Sequence, residues 1–132
     1  MKGEGCFKCS CNTSKKEVTW LNNINVLEIN RHKTLKINKK IFKPDAFDKD
    51  TNTIYEFYGD HWHGNPKVYH KDDINPATKS TYGSLYQKTI KRQEFLISQG
   101  YNFIFIWEDE WNNNQKETII SAENFNKVSL QD

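Results

Sequence analysis

Thr53-Ile54-Tyr55-Glu56-Phe57-Tyr58-Gly59-Asp60-His61-Trp62-His63-Gly64-Asn65-Pro66 opens as six residues of high β propensity and closes as a cluster of polar rings, with Gly59 between the two halves. β-Branched and aromatic side chains fit a pleated, half-buried surface, so Thr53–Tyr58 reads as a strand that Gly59 stops. Just upstream, Asp48-Lys49-Asp50-Thr51-Asn52 is a run of turn formers. Before it, Pro44 keeps Lys43 out of the α region, so the segment through Phe47 stays extended. Two extended runs around a short polar turn make a hairpin. With the turn centred between Asp50 and Thr51, residues whose numbers sum to 101 face each other. Asp45 and Glu56 are then opposite, with Cβ atoms about 5 Å apart.

Working outward, Val26–Ile29 and Leu35–Phe42 read as two further strands, joined by the polar turn Asn30-Arg31-His32-Lys33. Ahead of them, Thr13 or Ser14 caps a helix that carries Glu17 in its first turn and Trp20, Leu21 and Ile24 as its apolar stripe. Downstream, residues 60–81 lack a period and contain Pro66, Pro76 and three of the four histidines. A loop of that length in a small domain is generally functional or mobile. Ser84–Ser98 reads as a helix with Leu85, Thr89, Phe95 and Leu96 on one side, ended by Gln99-Gly100. Tyr101–Trp107 reads as a buried strand, and a weaker helix follows from about Gln115 to Asn124. This order predicts an α/β fold, a mixed central β-sheet flanked by helices, with a parallel crossover between the last two strands.

At 132 residues the chain has the size of one domain, predicted over residues 14–132 and preceded by a flexible Cys-containing segment, 1–13. Its mean hydropathy is −0.89. The apolar run Phe103–Trp107 falls far short of the ~20 residues that a membrane helix needs. The first fifteen residues have no apolar stretch of the secretory type. Together these features predict an intracellular, cytoplasmic protein with no membrane partner. Residues 1–43 carry ten Lys/Arg against three acids, whereas residues 108–132 carry six acids against two lysines. Such asymmetry suits a basic face for a polyanion, or simply a solvated basic surface. Cys6, Cys9 and Cys11 offer three thiolates, and a structural zinc site wants four ligands. A fourth could come from His32, His61, His63, His70 or a second chain; otherwise these are three free thiols.

Two carboxylates held face to face repel unless a proton or cation lies between them. Hard oxygen ligands on a rigid hairpin suit Mg²⁺, which keeps several waters and bridges to phosphate; a solvent-facing acidic pair is the plain alternative. Beyond the strand end, a histidine can take a proton from water or give one to a leaving oxygen. An exposed tryptophan beside a basic surface can stack on bases or wedge between them. Singly, His63 could cap a loop and Trp62 could fill a core.

The run PDAFD-(x)₆-YEFYGDHWHGNP (44–66), followed by DINPATKSTYGSLYQKTIKRQEFLISQGYNFIFIWEDEW (73–111), resembles the very-short-patch-repair-like nucleases. Within that group it is most similar to phage homing endonucleases of the EDxHD type, and so to the PD-(D/E)XK superfamily. The resemblance spans roughly residues 14–111. It implies a restriction-endonuclease-like core and a Mg²⁺- or Mn²⁺-dependent endodeoxyribonuclease acting on double-stranded DNA, in a bacterial cell or a cell that hosts a phage. By the same resemblance, Asp45 and Glu56 match the metal-binding acids and the Phe57 carbonyl a backbone ligand. Glu17 matches the glutamate that opens the EDxHD name, and His63 the acid/base or water-positioning histidine. His61 and Trp62 match the aromatic pair inserted into the DNA stack. Lys88, Lys91, Arg92 and the Lys36–Lys43 stretch would hold the backbone. Tyr58 replaces the superfamily lysine, Asp60 replaces a structural zinc ligand of the repair enzymes, and Thr89 stands where an aspartate is expected. Sequence specificity then has to come from residues 60–83, a homodimer or an additional DNA-reading domain. A non-catalytic nucleic-acid-binding module on a decayed nuclease fold, or a restriction or repair nuclease, are the other readings.

Overall fold

The computed structural model describes residues 15–120. The Cys6, Cys9 and Cys11 segment and the end of the last predicted helix lie outside them. A first helix, α1, runs through residues 15–23. A 3₁₀ turn Glu28–Asn30 follows, then strands β1 (Leu35–Ile37), β2 (Lys40–Phe42), β3 (Ala46–Asp48) and β4 (Thr53–Tyr58). Helix α2 is one turn, Asp60–His63; α3 is Tyr82–Ser98, β5 is Asn102–Trp107 and α4 is Glu108–Ile120. The architecture is mixed α/β with two small sheets: β3-β4-β5, mixed, and a separate β1-β2 pair.

The predicted hairpin register is the observed one: Ala46 faces Tyr55, Phe47 faces Ile54 and Asp48 faces Thr53. Asp48 Oδ1 accepts the Asp50 N–H at 2.9 Å and so closes the turn locally. β5 runs parallel to β4 along all six residues, with α3 as the crossover. Residues of β4 alternate between two cores. Phe57 belongs with Trp20, Leu21, Val26, Ala46 and Trp111, from α1, its following turn, β3 and α4. Ile54 belongs with Ile37 and Leu96, joined by Phe42, Phe47, Phe95 and Phe103, under α3 and the β1–β2 pair. At about 1.5–3 kcal/mol for each large side chain fully buried, these clusters fix β4 from both faces. That rigidity passes directly to the acids on and beside it.

Four expectations are corrected. Val26–Ile29 is no strand: Val26 N–H bonds to the Leu21 carbonyl, Asn30 to Leu27 and Arg31 to Glu28, so its donors are satisfied locally. Leu35–Phe42 is two strands, because Asn38 and Lys39 both take positive φ, 50° and 70°, the backbone of a two-residue hairpin turn. The last helix begins at Glu108 rather than near Gln115. Three acids in its first turn suit the positive helix end, and Glu110 Oε1 accepts the Trp107 N–H at 3.1 Å. Finally, among the described residues β5 is an edge strand, with Ile104 and Phe105 exposed.

The segment after α2 is tied down by two buried asparagines. Asn75 donates to the His61 carbonyl (2.8 Å) and accepts from Ala77 N–H (2.8 Å), and Asn65 donates to Asp60 Oδ1 (2.8 Å). Gly64 ends α2 at φ +68°, and a Cβ there would lie 2.1 Å from the Tyr82 carbonyl oxygen, so only glycine fits between α2 and α3. Among the described residues no helix is long and apolar enough to cross a membrane.

Candidate active site

The site grows from the end of the β3–β4 ladder. Continuing the register one step beyond Ala46–Tyr55 sets Asp45 opposite Glu56. Pro44 beside it is fully buried, and the Asp45 carbonyl accepts the His32 N–H at 2.9 Å, so the backbone of Asp45 is held on both sides. Its carboxylate takes the place of a ladder partner: Oδ2 accepts the Phe57 N–H at 2.6 Å. Phe57 is in turn wedged between Trp20 and Trp111, with ring centroids 6.0 and 6.4 Å away. Packing on one face of the strand therefore fixes an acid on the other.

Glu56 is buried and bonded through Oε2 to the Arg92 guanidinium of α3, which also lies 5.8 Å over the Phe42 ring. Glu17, from α1, completes an acidic trio. It is 6% exposed, and its Oε2 has no hydrogen-bond partner; His32 Nε2 stands 3.9 Å from it. Burial raises all three carboxyls to about 7. Mutual repulsion adds to burial: Glu56 acts on Glu17, Glu17 on Asp45 and Asp45 on Glu56, while Arg92 pulls Asp45 and Glu56 back down. Such a trio is short of positive charge near neutral pH.

His63, on α2, lines one cleft with Asp45 and Glu56, and Glu17 lies outside that lining. Burial, with the Arg92 charge adding to it, pushes its imidazole down to about 4, so it is neutral at pH 7. Its tautomer follows from the hydrogen bonds. Thr89 has one hydroxyl proton, which it donates to the Leu85 carbonyl at 3.0 Å. Thr89 Oγ1 is also 2.9 Å from His63 Nδ1, and it can only accept there. Nδ1 therefore carries the ring proton and Nε2 keeps a free lone pair, the state a general base requires. Tyr58 packs its ring 4.9 Å from that of His63 and donates its hydroxyl to Gln93 Oε1 at 2.8 Å; burial pushes its ionisation up, so it stays neutral.

A cleft of about 380 Å³ collects Asp45, Glu56, Phe57, Trp62 and His63 with Lys43, Lys88, Thr89 and Arg92. Trp62 is 45% exposed at its mouth. His61 and Lys91 lie outside that lining. His61 meets the Trp62 ring edge-on at 4.8 Å and joins a ring cluster with Tyr69 and Tyr82, both 6.0 Å from it. Lys91 is exposed but does not line the cleft. Arg92, expected on a DNA backbone, is engaged by Glu56. Asp60 is structural: its Oδ1 accepts from Asn65 and from the Asp109 N–H. Sequence reading did not anticipate Thr89 as the partner of His63, although a β-branched hydroxyl on the buried face of a helix was a visible signal. Nor did it anticipate His32 beside Glu17.

Among the described residues no three His, Cys, Asp or Glu side chains converge as a preformed metal cage. The donors present nonetheless fit a hard divalent cation, which takes one or two carboxylates and keeps its waters. Asp45 and Glu56 lie together, and the charge deficit of the trio is what such an ion would relieve. The chain matches no protein-family model, no curated protein and no solved structure.

Proposed function

We propose that the chain is a metal-dependent DNA endonuclease with a PD-(D/E)XK core, of the very-short-patch-repair-like, EDxHD phage homing type. The observation that carries this reading is the cleft itself. It sets half-buried Asp45 and buried Glu56 opposite a neutral histidine whose Nδ1 proton is fixed by Thr89. Mg²⁺ or Mn²⁺ would be held by Asp45, Glu56 and the Phe57 carbonyl, and when bound it supplies charge for the phosphate and a more acidic water. The chain's own residues do the rest. His63 Nε2 takes the proton of the attacking water, and Thr89 keeps the ring oriented while it does so. Lys43 and Lys88 hold the flanking phosphates of a double-stranded substrate, and Trp62 stacks on or between bases at the cleft mouth. Glu17 raises the charge deficit that draws the cation in. Conversion of supercoiled plasmid to nicked or linear product with Mg²⁺, and none with EDTA, tests this reading.

One observation favours a second reading. Arg92 already gives Glu56 a counterion, as a cleft that binds DNA without cutting it would require. That reading predicts retained duplex binding, indifferent to EDTA, with no cleavage under any divalent cation.

A further inference from the structure

Among the described residues, one face of the β1–β2 hairpin packs on the fold and the other does not. Leu35, Ile37 and Phe42 turn inward toward Leu96, Phe95 and Phe47, and Lys40 Nζ lies 5.9 Å over the Phe95 ring. The other face presents Lys36 with its cross-strand neighbour Ile41, which is 63% exposed, and the two-residue turn presents Asn38 and Lys39. Residues 33–43 contain five lysines and no acid. The hairpin also rises from the rim of the cleft. Phe42 at its base stacks on Phe95 at 5.7 Å and lies under Arg92, and Lys43, the next residue, lines the cleft beside Asp45. In the loop after α2 the buried amides, Asn65 and Asn75, are spent on Asp60 and the His61 carbonyl of α2.

A two-stranded ribbon is an element that the major groove of B-DNA, about 12 Å wide, admits. We propose that the β1–β2 hairpin enters the major groove beside the cleft and reads base edges there. Asn38 offers the amide that pairs with adenine, Lys36 and Lys39 donate to guanine O6 and N7, and Ile41 covers a thymine methyl. Lys33 and Lys43 hold the phosphates at the base of the hairpin. This rests on the duplex-DNA reading above and adds to it the origin of sequence preference.

The test uses the full chain carrying Asp45→Ala, so that no cutting intervenes. It is incubated with a pool of random duplexes, and the bound fraction is sequenced. The same chain with Asn38→Gly and Ile41→Ala added is run in parallel, glycine being at ease at the φ of +50° that Asn38 holds. The first protein is expected to enrich a motif. The second is expected to lose about tenfold discrimination at about three adjacent base pairs, with its melting temperature unchanged, since both side chains are exposed. Lys33→Ala with Lys43→Ala is expected instead to weaken binding to all sequences and to reduce the salt slope by about one for each lysine. An unchanged motif, or no motif at all, overturns the hairpin proposal. Plasmid cleavage by the wild-type chain is scored separately. Its absence, with the motif lost as expected, refutes the nuclease and leaves the hairpin. Cleavage with an unchanged motif refutes the hairpin alone, and failure to bind any duplex refutes both.

Discussion

Replacing Glu17 by glutamine removes one charge from the acidic trio while keeping its shape. The Glu17 carboxyl is raised from 4.5 to about 7, first by burial and then by Glu56. At about 1.4 kcal/mol for each pH unit, keeping it ionised in the fold costs at most ~3 kcal/mol, and because Asp45 and Glu56 share the repulsion ~1–3 kcal/mol is the expected gain. The sign follows from the direction of the shift. A carboxyl whose folded value lies above its unfolded one stabilises below about 4.5, and that contribution is lost as pH rises through about 7. Glu17→Gln should therefore raise the melting temperature at pH 8, by roughly 4 °C per kcal/mol for a domain of this size, and gain almost nothing at pH 4.5. His63 has the opposite dependence: lowered to about 4, it costs stability as pH falls below its ordinary 6.5. It is present in both proteins and cancels in the difference. Thermal unfolding of the two proteins at the two pH values is the assay. An equal change at both, or a loss at pH 8, would refute the picture of a repelling, solvent-starved trio.

Trp62→Ala should weaken duplex binding by ~1–3 kcal/mol with little change in melting temperature, since the ring is 45% exposed; a large stability loss at unchanged affinity would make it a packing residue. His63→Ala should slow single-turnover cleavage by about 10²–10⁴-fold. Thr89→Val should give an intermediate rate, since it keeps the shape of Thr89 and removes the acceptor that fixes Nδ1–H; a wild-type rate for Thr89→Val would show that the tautomer does not matter. Arg92→Gln leaves the Glu56 charge buried and unpaired. It should destabilise the fold at pH 8 by ~3–5 kcal/mol, by urea denaturation, and by less at pH 5, where Glu56 is protonated.

What was legible in the sequence was local. The turn formers 48–52 fix the register of β3 on β4, and the register alone brings Asp45 opposite Glu56. The period of α3 and its Gly100 stop were equally readable, and the helix differs only by starting at Tyr82, where Thr81 accepts the Ser84 N–H. What was not legible depends on partners far along the chain. The alternation of Leu35 and Ile37 with Lys36 stops at Asn38-Lys39-Lys40, a break too short to read as a turn by itself, and the backbone at Asn38 and Lys39 reveals two strands. The apolar run of β5 reads as buried, but strand order, which no single strand encodes, leaves it at an edge. Arg92 reads as a phosphate ligand from the sequence, because nothing local marks Glu56, 36 residues away, as its neighbour. Thr89 became informative only once His63 was placed beside it.

In the proposed nuclease, Asp45 and Glu56 make the cleft a hydrolytic one. The most direct measurement is single-turnover cleavage of an end-labelled duplex by the wild-type chain and by Asp45→Ala, at protein concentrations that saturate binding for both, with Mg²⁺ and with EDTA. The wild-type chain should cut in Mg²⁺ and stop in EDTA, and Asp45→Ala should bind the duplex at least as tightly and cut under neither condition. Equal cleavage by the two proteins, or cleavage that survives EDTA, would contradict the account.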